Sequence, residues 1–147
     1  MKLLIKLKKF IALSAFEKKL IWYAWWWSLA AKILIPTVPF RRFKSLLGAP
    51  MVEHCVRLTP QEQLLAKQIK SAVSRADRLL PFHCQCFVLA IAAQRLLLKH
   101  KVPTTLYLGV AKDPIKTLKA HAWVRSGTMM VTGGAGHQAF TVTATFS

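Results

Sequence analysis

The chain has 147 residues, enough to bury one core and too few for two comfortable domains. Lys and Arg outnumber Asp and Glu by 22 to 5, giving a net charge of +17. The excess is spread evenly, with ten basic and one acidic side chain in residues 1–49 against twelve and four in 50–147. Such a balance suits an anionic partner or simply keeps a hydrophobic small protein soluble. The chain lacks zinc-finger spacing, a recognition-helix pattern and Arg interleaved with aromatics, so nucleic acid is not an expected partner.

The N-terminal residues 1–49 read as a basic, aromatic-rich helical segment appended to one domain, residues 50–147. The longest uncharged run, Leu20 to Ala31, contains Trp25, Trp26 and Trp27 in a row, after which Lys32 intervenes and Pro36 and Pro39 are expected to break the helix. Twelve residues fall short of the roughly 17–25 needed to span a bilayer. Three readings remain: docking in a membrane interface through Trp, Tyr and flanking Lys, packing on the rest of the domain, or a secretory signal ending near "SLA". Glu17 and the long basic start count against the signal.

"RLTPQEQLLAKQIKSAVSRADRLLP" is the clearest helix. Thr59 and Glu62 form a capping box, and Pro60 stands where its missing N–H costs nothing. Leu65, Ile69, Val73, Ala76 and Leu80 recur at helical spacing before Pro81 ends the element. A second helix is expected from about His83 to Lys99, apolar nearly all round until Gln94 and Arg95, and therefore central. Four short strands follow, Thr104–Lys112, His121–Gly127, Thr128–Gly134 and Gln138–Ser147, with a tight turn at Ser126-Gly127. The expected fold class is α+β, helices packed on one face of a small antiparallel meander.

Cysteine 84 and Cys86 stand one residue apart at the start of the central helix, in "HCQC". Zinc is improbable, because one crowded cluster does not supply two spaced ligand pairs, and a redox pair calls for C-x-x-C. No metal and no cofactor are expected. A nucleophile requires an acidified thiol, a base within reach and donors for an oxyanion, and the first turn of a buried helix supplies the first and the last. Cys86 lies in line with Ala90, Ala93 and Leu97, the stripe expected to face the sheet, whereas Cys84 points roughly the opposite way. His121, in "AHAWV" between small Ala120 and Ala122, is the candidate base. Alternation places it with Trp123 on one face and Ala122 with Val124 on the other. Three cysteines, an odd count in a chain large enough to fold without staples, suit a reducing, cytoplasmic setting, with membrane association left open.

A cysteine on a central helix followed by a histidine on a strand resembles the transglutaminase-like and papain-like cysteine peptidases. More narrowly, "CFVLAIAAQRLLLKHKVPTTLYLGV", "LKAHAWVRSG" and "VTGG" are similar to the leader peptidases of lasso-peptide biosynthesis. The resemblance implies removal of a leader from a ribosomally made precursor peptide, presented by a separate leader-binding protein, before an ATP-dependent macrolactam cyclase closes the ring. By position it implies Cys86 as nucleophile and His121 as general base. The orienting acid it implies would fall near Thr132 or Gly133, yet no Asp or Glu follows Asp113. Thr132, Gln138, Asp113 or a backbone carbonyl is left to hold the imidazole. Lys101 stands where the family more often turns with Gly. The alternatives are a transglutaminase-like acyl transferase and a non-catalytic basic protein that binds membrane or nucleic acid.

Overall fold

The computed structural model describes residues 10–115 and 117–147. Helix α1, Ala15–Thr37, opens on a capping box in which Ser14 Oγ accepts from Glu17 N (3.2 Å) and Glu17 accepts from Ser14 N (3.0 Å). It runs through Pro36 rather than stopping before it, because a proline in the last turn removes only one intrahelical bond. Helix α2, Phe40–Phe43, and a 3-10 turn, Lys44–Leu47, follow. Helix α3, Pro60–Leu79, starts where its capping box places it, with Thr59 Oγ1 accepting from Glu62 N.

Helix α4 spans Cys86–Lys99, so it begins three residues later than expected and His83 and Cys84 lie in the segment before it. Val88, Ala90, Ile91, Ala93, Leu96 and Leu97 are all buried. The strands are β1 (Thr105–Lys112), β2 (Leu118–Ser126), β3 (Met129–Thr132) and β4 (Thr141–Phe146), all antiparallel. Their order is β3-β2-β1-β4, not the simple meander expected. After the β2–β3 hairpin the chain crosses back through residues 133–140 to pair β4 with the far side of β1.

The fold is α+β, with four helices and one four-stranded antiparallel sheet among the described residues. Leu106, Ala122, Val124, Val131 and Phe146 share a core with α4. Leu20, Ile21, Ala24 and Ala31 of α1 belong to the same cluster as Ile69 and Val73 of α3. Residues 1–9 of the expected N-terminal segment lie outside the described residues; α1 is not the apolar appendage expected, since it carries Glu17, Lys18, Lys19 and Lys32 beside its aromatics and packs into the common core. Among the described residues no helix is long and apolar enough to cross a membrane.

Gln94 closes this core. It is fully buried, donates to Leu47 O (2.8 Å) and Phe146 O (3.1 Å), and accepts from Thr104 Oγ1 (3.2 Å). Arg125 O lies 3.1 Å from the same hydroxyl, whose single proton is shared between the two acceptors. One amide therefore ties the 3-10 turn, β4 and the entry to β1 onto α4. Ala49 and Ser147 exchange backbone bonds of 2.6 and 3.0 Å, adding a short edge to β4.

Candidate active site

The site starts at the entry to α4. Gln85 is its N-cap, extended at φ −68° and ψ 154°, and no side chain caps the first turn. The backbone N–H groups there are left for another acceptor. Cys86 is the first helical residue, half-buried and packed against the core. Its thiol therefore stands beside the positive end of the helix dipole.

Cys84, in the extended approach to the helix, has a different environment. Its N–H donates to Asp77 Oδ1 at 3.4 Å, near the C-terminus of α3. Burial, and next the Asp77 carboxylate, push its thiol up to about 11. A group so placed stays protonated and unreactive at neutral pH.

His121 is the fourth residue of β2, which begins at Leu118 rather than at the histidine itself. It pairs with Gly109 of β1, and a side chain at Gly109 would press on the Trp123 ring and on Phe140. The imidazole stacks on Trp123 at 5.8 Å and meets Phe140 at 5.0 Å. Trp123 in turn stacks on Tyr107 at 5.4 Å, with Arg125 over the Tyr107 ring. The crossover of residues 133–140 covers this face, where His137 lies 5.6 Å from Trp123 and bonds Gly134 O at 2.6 Å.

His121 Nε2 bonds the Gly133 carbonyl oxygen at 2.8 Å. A carbonyl only accepts, so Nε2 carries the proton and Nδ1 is the nitrogen free to act as a base. Gly133 follows the last residue of β3 and adopts φ +66°; a β-carbon there would strike Ala122 O and the Trp123 side chain. Only glycine brings this carbonyl so close at low cost.

None of the other candidates for that partner bonds the imidazole among the described residues. Asp113 pairs with Lys119 at 2.7 Å at the far end of the β1–β2 hairpin. The Thr132 hydroxyl is buried without a partner, and Gln138 is exposed in the crossover. Cys86 and His121 are not hydrogen-bonded to each other among the described residues. By alternation His121 shares a face with Trp123, while α4 packs on the Ala122 and Val124 side. The turn through Lys101, at φ 56°, carries the chain from α4 into β1. Cys86 is thus on the helix side of the sheet and the His121 imidazole on the face that carries Trp123 and Phe140, and the structure does not bring the two side chains together.

A family model described as the transglutaminase-like superfamily matches residues 25–145. The chain belongs to that superfamily. The match runs from the middle of α1 through β4 and includes both Cys86 and His121. Transglutaminase-like chemistry, cysteine proteolysis or acyl transfer, is consistent with a thiol at a helix start and an imidazole on a strand. No curated protein and no solved structure matches the chain. Among the described residues no three His, Cys, Asp or Glu side chains are gathered as a metal site.

The role of Gly133 had only an indirect signal in the sequence. "VTGG" announces a turn, but which carbonyl turns inward depends on the tertiary crossover. The Asp77 contact that raises the Cys84 thiol had no signal at seven residues' separation across a helix end.

Proposed function

We propose that the protein is a cysteine endopeptidase that removes the leader from a ribosomally made precursor peptide, as in lasso-peptide maturation. The observation that carries this reading is the imidazole of His121 held through Nε2 on the Gly133 carbonyl, with Nδ1 left as base, in a transglutaminase-like chain. The resemblance of "AHAWV" and of the Cys86 helix to leader peptidases supplies the substrate class.

The proposed reaction requires the His121 imidazole, on the sheet face opposite α4, to move within reach of the Cys86 thiol; Nδ1 then takes the thiol proton as Sγ adds to the scissile carbonyl. The uncapped first-turn N–H groups of α4 hold the oxyanion. The protonated imidazole then gives its proton to the leaving amine, and a water, deprotonated by the same nitrogen, hydrolyses the thioester. A neutral carbonyl behind the histidine stabilises imidazolium less than a carboxylate does. A separate leader-binding protein presents the precursor, and an ATP-dependent macrolactam cyclase uses the new N-terminus.

The test is incubation with precursor and leader-binding protein, read by mass. Leader and core should together exceed the precursor by one water, and Cys86→Ala should yield neither. A product joining two chains would instead mean acyl transfer. Cleavage that survives Cys86→Ala and disappears in Cys84→Ala would contradict the assignment.

A further inference from the structure

The outward stripe of α1 is apolar where a helix on a protein surface is ordinarily polar. Trp22, Trp26 and Ile33 recur at helical spacing on the face away from the core and are 63, 55 and 57% exposed. The inward face, Leu20, Ile21, Ala24, Ser28 and Ala31, is already buried, so this exposed stripe between the lysines is a second apolar surface. Beside the stripe lies a hollow of about 220 Å³ walled by Phe10, Lys18, Ile21, Trp22, Trp25 and Leu79. Trp22 and Trp25, both in its wall, stack on each other at 5.5 Å.

We propose that this face of α1 docks on an anionic lipid bilayer, the helix lying flat in the interface. Three features favour lipid over other occupants. Exposed tryptophan is the side chain best suited to the boundary between headgroups and acyl chains. Lys18, Lys19 and Lys32 flank the stripe, whereas the single acid of α1, Glu17, is engaged in the Ser14 cap. A hollow lined by apolar side chains and one lysine suits an acyl chain with a phosphate nearby, and Lys18, already bonded to Ile11 O at 3.0 Å, retains donors for that phosphate. A second copy is disfavoured, since two chains of +17 would meet through lysine-flanked faces. Docking of this kind is peripheral, as no described helix is long and apolar enough to span.

The experiment is sedimentation of the full chain with vesicles of phosphatidylcholine alone and of phosphatidylcholine with about one third phosphatidylserine, while tryptophan emission is followed. Wild type should pellet with the anionic vesicles, its emission moving to shorter wavelength, and bind the neutral ones about tenfold or more weakly. The pair Trp22→Ser and Trp26→Ser should weaken anionic binding about tenfold or more without changing the far-ultraviolet circular dichroism. Wild type left in the supernatant with both vesicles would overturn the proposal. So would binding that the tryptophan pair does not affect, which would mean charge alone is at work. A dimer in sedimentation velocity that the same pair of substitutions disperses would give the face to a second copy and equally overturn it. No cleavage is read, so the outcome is independent of the peptidase assignment.

Discussion

The two ends of α4 are built for opposite purposes. Toward its C-terminus Gln94 is fully buried with every amide group bonded, Arg95 donates to Leu46 O at 2.9 Å, and His100 N closes the last turn. At its N-terminus Gln85 caps nothing with its side chain and Cys86 remains half-open. Satisfied polar groups hold a fold in one arrangement, while unsatisfied donors at a helix start are useful only to a ligand that arrives with negative charge. Substitutions at the open end should therefore alter rate, and those at the closed end should alter stability.

His121→Ala should have the largest effect, lowering cleavage on the order of 10³-fold or more with the melting temperature little changed, as single-turnover assays and calorimetry would show. Gly133→Ala sharpens the same point. A β-carbon at φ +66° displaces the carbonyl from Nε2, so the rate should fall about 10- to 100-fold and stability by about 1–3 kcal/mol. A rate unaffected by this change would show that the carbonyl does not position the ring. At the closed end, Gln94→Leu strands the Leu47 and Phe146 carbonyls, at a cost of about 2–5 kcal/mol in urea unfolding, while Thr104 keeps Arg125 O as acceptor. The folded fraction should cleave at the wild-type rate. Smallest is Lys101→Gly in the turn after α4: lysine there adopts φ 56°, which favours glycine, so the substitution should stabilise by about 0.5–1 kcal/mol.

How much the sequence disclosed depended on range. The Thr59–Glu62 box placed the start of α3 to the residue, because both partners lie within one turn. The similar box at Ser14 and Glu17 was equally local but lay hidden in a run of lysines and aromatics. The start of α4 came three residues late because nothing in "PFHCQ" forbids helix; the Asp77 contact to Cys84 N and the extended Gln85 decide it. Strand order was illegible, since β4 could pair with β3 or cross to β1, and the side-chain pattern is the same either way. Cys86 and His121 stood out by residue type. The group behind His121 did not, because a backbone carbonyl has no letter in a sequence.

The central claim is that Cys86, not Cys84, is the reactive thiol. It is tested most directly by treating the folded protein at about pH 8 with limiting iodoacetamide, mapping the alkylated residues and following leader cleavage in the same sample. The Cys84 pKa of about 11, raised by burial and by Asp77, means that this thiol is almost wholly protonated at that pH and becomes available only as pH rises toward 11. Exposed Cys55 should react without consequence. Loss of cleavage in step with modification of Cys86, with Cys84 spared, is the predicted result. Inactivation that follows Cys84 while Cys86 stays unmodified would contradict the account.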